Sequence, residues 1–378
     1  MQNIFKNKFF ALAVVATFLV TCIMTIAQIP SAKSKMQDIP VAIVNEDKEE
    51  LGKNVTTQIL NNKTKAEHAD RPIFKWHLYN SETSANKDLG FNGNYATVVI
   101  PKDFSSKITN INNDGAQANI KIIVNQARNN TLSASISQIL TGMANKISST
   151  IGSTMLAKLG ETPLPANKVA VIANPITVEV SKTHATTNLE SATSVFFQPI
   201  WLTSVATTML IYLGTKSFKP RNKKEVIWHK TLTMAVIATL SIAIGFITRW
   251  YASQFLGYHF DDSVTLSLFL ALSSFAFIML FSGFIAWLGV GGIAIFVLLL
   301  FFGLPLLVMA PEMLPTFYQD WILPWLPMRF LYEGIRELLY YNGNLINQNS
   351  LSLVVIACLG SVLFFLESFS NRHKQSFK

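Results

Sequence analysis

The sequence predicts a polytopic α-helical membrane protein with six transmembrane helices, one before and five after an inserted extracellular α/β domain. Three observations carry this. The stretch Val264–Pro311 runs for nearly fifty residues without one Asp, Glu, Lys, Arg or His. One bilayer span needs only about 20 apolar residues, so the run fits two spans folded back on each other, with Trp287–Gly292 as a glycine-rich reversal. Four further uncharged apolar segments lie elsewhere: Phe9–Ile29, Val195–Leu213, Thr231–Thr248 and Leu351–Leu366. Finally, the cations outside residues 30–193 fall mostly into three short patches: Lys6 and Lys8, Lys216 to Lys230, and Arg372 to Lys378. That is the positive-inside pattern of a membrane protein, and it places both termini in the cytoplasm.

The same placement disposes of a nucleic-acid reading of the net charge of +9, because the cations bracket spans and do not form one basic face. Half of the 378 residues are hydrophobic and 14% are charged, as expected when membrane and polar parts are averaged. Cys22 and Cys358 are the only cysteines, and both fall inside apolar segments. The polar domain therefore has no disulfide framework and no Cys-based zinc site, and it must rely on a hydrophobic core.

Residues 1–29 read as a cytoplasmic N-terminus and the first span. A cleaved signal peptide competes, since Thr25-Ile26-Ala27 offers small residues. The length of the apolar stretch favours an uncleaved anchor. From 30 to 193 the sequence turns mixed and polar. Ile39–Val44, Ile73–Leu78, Tyr95–Ile100, Ile120–Val124 and Val169–Ile172 read as strands, being β-branched or aromatic. Helical patterns lie between them: Leu51, Val55 and Ile59 after an acidic start, Phe104 and Ile108 after Pro101, and a long stripe from Thr131 to Leu159. Strand–helix alternation predicts an α/β module with a largely parallel sheet. Asn174-Pro175 reads as a turn before the return to the membrane.

The membrane domain, 194–378, is expected to place its spans at 195–213, 231–248, 264–286, 291–310 and 351–366. Residues 311–349 form an extracellular re-entrant segment in which Met328, Leu331, Ile335, Leu338 and Leu339 make the apolar face of an amphipathic helix. The predicted spans carry no Asp, Glu, His, Lys or Arg, which argues against a self-powered ion-coupled transporter. Nor does the chain contain a Walker loop, an H-E-x-x-H, a C-x-x-C or a G-x-S-x-G motif. Neither an enzyme nor a bound cofactor or metal is expected.

Several stretches resemble one family. Ile39 to Lys48, with its Asn45-Glu46-Asp47 turn, looks like the first extracellular strand of ABC type-2 exporter permeases of the phage-infection-protein-like group. Tyr95 to Ser105, with Pro101, Asp103 and Phe104, is similar to that group's strand followed by Ile-Pro-x-Asp-Phe. Ile122 to Asn130 resembles its next strand–helix step. Pro311-Glu312-Met313-Leu314-Pro315, then Pro324 and Arg336, resembles the outer re-entrant helices. A nitrosoguanidine-resistance family shares the architecture, and the chain lacks the long coiled-coil insertion of the larger phage-infection proteins. Read without the resemblance, Pro101 starts a helix, Asp103 suits its N-terminus and Phe104 packs inward. Asn45-Glu46-Asp47 is then a polar turn and helix entry.

The resemblance implies the membrane-spanning permease subunit of an ABC exporter, with ATP hydrolysed by a separate ATP-binding subunit and two permease copies paired as a homodimer or heterodimer. The basic connector is the candidate docking site, with Glu225, Val226, Ile227 and Trp228 seating a short helix in a partner groove and Lys223 and Lys224 at the rim. The alternative is that these cations only fix topology and touch anionic lipid. An uncharged span set suits an amphiphilic or hydrophobic substrate. Two other functions remain open: a non-transporting cell-surface receptor or secretion accessory, and an ATP-independent drug-resistance exporter.

Overall fold

The computed structural model describes residues 17–18, 21–66, 70–91, 93–159, 165–218 and 220–369. The chain divides into two compact units: residues 35–187, and residues 1–34 together with 188–378.

The first unit is an α/β domain built on one five-stranded sheet. Its elements in order are β1 (Ile39–Asn45), α1 (Glu50–Asn61), β2 (Phe74–Tyr79), α2 (Glu82–Lys87), β3 (Ala96–Ile100), α3 (Phe104–Asp114), β4 (Ala118–Asn125), α4 (Asn130–Leu159), α5 (Ala166–Ala173) and β5 (Ile176–Thr183). The strand order is β2-β1-β3-β4-β5. Strand β1 pairs in parallel with β2 and β3, and β4 in parallel with β5, while β3 and β4 are antiparallel. Alternation along the strands feeds two layers. Ala42, Val44, Val99 and Ile123 pack on Ala85 and Leu89 on one side. Val98, Ile120 and Ile122 on the other meet Ile59 of α1 and Leu140, Met143 and Ala144 of α4.

The expected strand at Val169–Ile172 is helix α5 instead. Pro165 sits at its N-cap, and the alanines at 166, 170 and 173 favour a helix. Ile172 is buried, and α5 lies close against α4 at Gly152, where any Cβ would strike the Ala173 carbonyl. The fifth strand begins one residue after Pro175, in the alternating run Ile-Thr-Val-Glu-Val-Ser-Lys-Thr. Short β-branched runs fit strand or helix, and tertiary packing chose between them here.

Five helices of the second unit are long and apolar enough to cross a membrane: α6 (Ala192–Thr215), α7 (Lys223–Leu256), α8 (Ser263–Leu288), α9 (Gly291–Val308) and, after α10 (Pro327–Tyr340), α11 (Gln348–Leu366). The expected first span, Phe9–Ile29, lies largely outside the described residues, although 21–27 are helical. Helix α8 is the hub: 67% of its apolar window is buried, against 22–33% in the other four. Small residues let its neighbours approach. A Cβ on Gly245 of α7 would come within 2.4 Å of the Ser267 carbonyl of α8, and one on Gly360 of α11 within 2.4 Å of the Leu280 amide. Phe196, Phe197, Trp201 and Phe296 gather around Phe277 and Phe281 of α8, with the Trp201 ring edge-on to Phe277 and Phe281 at 4.9 and 5.0 Å. The turn between α8 and α9 is shorter than expected: Gly289, with φ +67°, and Val290 suffice.

Helix α10 carries the anticipated apolar face, but protein covers it. Met328, Leu331 and Ile335 are fully buried in the same core as Ala192, Phe196 and Phe269, and Gly334 lies against the Phe269 ring. The residues before it form short turns at Pro311–Met313, Tyr318–Ile322 and Leu323–Trp325.

Candidate functional site

Helix α7 has 34 residues, a length of about 51 Å, well beyond the ~30 Å hydrocarbon core of a bilayer. Its first two turns, Lys223–Lys230, are the second half of the basic connector. Their start is fixed locally. The Asn222 side chain caps the helix by accepting from the Glu225 amide at 2.9 Å, and Glu225 turns back to accept from the Arg221 amide at 2.7 Å. Glu225 therefore acts as part of the cap.

Of the predicted docking residues, Val226 faces inward and is buried. Trp228 is 71% exposed and Ile227 39% exposed, with Lys223 and Lys224 exposed beside them. The outward set is thus Lys223, Lys224, Ile227 and Trp228. Phe218 of the connector stacks on His229, ring centroids 4.0 Å apart and planes 15° from parallel.

One turn into the bundle lies a feature that sequence reading did not find. Lys230, only 8% exposed, donates to Glu367 Oε2 at 2.8 Å and to the Phe364 carbonyl, with its Nζ 4.8 Å from the centre of the Phe364 ring. Glu367, equally buried, follows directly on the C-terminus of α11. The ammonium thus satisfies one of the orphan carbonyls of that terminus and pairs with the carboxylate beside it. The pair forms part of the wall of a cavity of about 260 Å³ between α6, α7, α8 and α11. The only sequence signal was that Glu367 is the lone acid at the end of the last apolar segment.

In the α/β unit the motif residues meet at the C-terminal ends of β1 and β3. Asp47 is buried, accepts from the Ser105 amide at 2.9 Å and from the Ser105 hydroxyl, and also accepts from the Glu49 amide at 3.0 Å. It thereby caps α3 and ties it to the turn after β1. Asn45 accepts from the Asp47 amide at 3.0 Å, and Glu46 accepts from the Glu82 amide at 3.4 Å. Asp103 is exposed and paired with Lys107 at 2.8 Å; the bond from that ammonium holds its carboxyl below the usual range. Phe104 is fully buried, and Pro101 precedes α3. These residues form a folding joint. Among the described residues no group of three or more His, Cys, Asp or Glu is placed to hold a metal ion.

The third motif group is dispersed. Pro311 and Glu312 lie in a 3-10 turn, Pro315 follows it, and Pro324 is exposed in another. Arg336 lies on α10, where Arg329 pairs with Glu333 at 2.8 Å and Glu337 accepts from Asn349 at 2.9 Å.

Against this architecture, the family model described as "ABC-2 family transporter protein" matches residues 8–366. The chain belongs to the ABC-2 transporter family. This ABC-2 protein is therefore a multi-pass membrane protein and a transport subunit, of a family that generally works with an ATP-binding subunit. No curated protein and no solved structure matches the chain.

Proposed function

We propose that this chain is the permease subunit of an ABC exporter. It moves an amphiphilic or hydrophobic substrate outward, on ATP hydrolysed by a separate subunit, from a pair of permease copies in the plasma membrane. Residues 30–193 face outside and both termini are cytoplasmic, a reading that the cations of the connector at 216–230 support. The proposal places this chain in the phage-infection-protein-like group, which the strand-turn motifs at Asn45–Asp47 and Pro101–Phe104 support.

One observation carries the partner reading. The connector ends in a capped helix start that presents Trp228 and Ile227 to solvent next to Lys223 and Lys224. An exposed Trp on a rigid element, rimmed by cations, is the make-up of a docking hot spot. Because α7 is one continuous helix, a push on Trp228 passes directly into the packing around α8. The reading is tested by co-purifying the ATPase from native membranes. Trp228→Ala and Lys223→Glu with Lys224→Glu are expected to lose it while membrane insertion stays intact. Retention of the ATPase by both variants refutes the docking site. Labelling of a cysteine placed at Ser217 only from the outside refutes the orientation.

A further inference from the structure

The cavity beside Lys230 is equipped for a ligand in a way that packing alone does not require. Its walls divide by chemistry. Ile211, Val226, Ile285 and Phe364 supply the apolar part, and Lys216, Lys230, Tyr212 and Ser282 supply hydrogen-bond donors. Two of these donors are in deficit. The Lys230 ammonium has three N–H groups, of which Glu367 and the Phe364 carbonyl take two. The Ser282 hydroxyl, on a residue only 6% exposed that lines the cavity, has no hydrogen-bond partner among the described residues and is closed off as it stands, so its side chain must rotate to present it. A buried donor left unmade costs free energy, so a space that keeps two of them suits an acceptor. The charges around it point the same way: Lys216 and Lys230 face one carboxylate, and Arg221, Lys223 and Lys224 stand on the adjoining connector.

We infer that this cavity binds the anionic headgroup of a membrane amphiphile, a phosphate-bearing lipid of the leaflet on the basic side. The phosphate, whose charge no choline or amine of the headgroup offsets, takes the spare Lys230 donor and, on rotation of its side chain, the Ser282 hydroxyl, and the first methylenes lie along Ile211, Val226 and Ile285. The volume of about 260 Å³ holds a headgroup and the start of its chains, and the remaining chain length lies in the bilayer. The Phe218–His229 stack stands at the same cavity wall, so occupancy bears directly on the connector. The inference is independent of the ATPase partner and of transport direction.

The two halves of the ion pair give the test its sign. The full-length protein is purified into nanodiscs of phosphatidylcholine containing a minor fraction of phosphatidylglycerol, and retained lipid is counted by native mass spectrometry. Phosphatidylglycerol is expected to be retained in preference to phosphatidylcholine. Lys230→Met lowers that preference about tenfold, the worth of one charge-assisted hydrogen bond. Glu367→Gln raises it, because the carboxylate no longer competes for the ammonium. Ser282→Leu fills the cavity without touching the ion pair and lowers retention as Lys230→Met does, which keeps the test sharp if Lys230→Met fails to fold. Millimolar inorganic phosphate is expected to leave the lipid in place. Equal retention of the two lipids overturns the inference. So do shifts of the same sign in Lys230→Met and Glu367→Gln, or full displacement by free phosphate, which assigns the site to a soluble anion.

Discussion

The Lys230–Glu367 pair makes the sharpest prediction about what holds the basic end of the bundle together. The partners are 137 residues apart, with side chains 10% and 11% exposed, so solvent screens them little. Removing one partner of a buried pair leaves an uncompensated charge and costs about 3–5 kcal/mol, whereas replacing both by apolar groups of similar volume is close to neutral. Lys230→Met and Glu367→Leu are therefore each expected to destabilise the purified protein strongly. The double variant should recover most of the loss, so the coupling free energy approaches the sum of the two single losses, about 5 kcal/mol or more. Recovery will be incomplete, because the Phe364 carbonyl also loses its donor. The assay is a double-mutant cycle on the full-length protein in detergent, following unfolding by tryptophan fluorescence. Single-variant effects that sum to the double-variant effect within about 0.5 kcal/mol mean that the two groups do not interact, and the stated role of Lys230 at the α11 terminus fails.

Other expectations follow from the close approaches and the caps. Gly360→Leu pushes a side chain into the Leu280 backbone and is expected to abolish a monodisperse peak in size-exclusion chromatography. Gly360→Ala should cost about 1–3 kcal/mol, as overpacking does. Asp47→Ala removes the acceptor for the Ser105 and Glu49 amides and should destabilise residues 35–187 by about 1.5–3 kcal/mol, the worth of hydrogen bonds to a charged group; urea unfolding of that segment expressed alone reads it. In contrast, Asp103→Asn breaks only an exposed pair with Lys107 and should shift stability by less than about 1 kcal/mol. At Gly334 any side chain meets the Phe269 ring, so Gly334→Leu should detach α10 and expose the segments before it to limited proteolysis.

The amino-acid sequence alone determined the membrane character of the chain, the order of its apolar segments and the presence of a sheet unit before them. These follow from local quantities: the length of an uncharged run, the spacing of apolar residues and the position of cations between spans. Asp47 and Phe104 were legible as a turn and a core residue for the same reason. Tertiary structure decided whatever depends on partners far apart in sequence. It made a helix of Val169–Ile172 and a strand of the residues after Pro175, because α4 and β4 were there to receive them. It turned Val226 inward and left Trp228 outward, since which side of α7 meets the bundle is a matter of packing. It also joined Lys230 to Glu367. A Lys at the start of one apolar helix and a Glu at the end of another each read as ordinary interfacial charges, and only the meeting of α7 and α11 beside α8 takes both out of water and makes each the other's counter-ion.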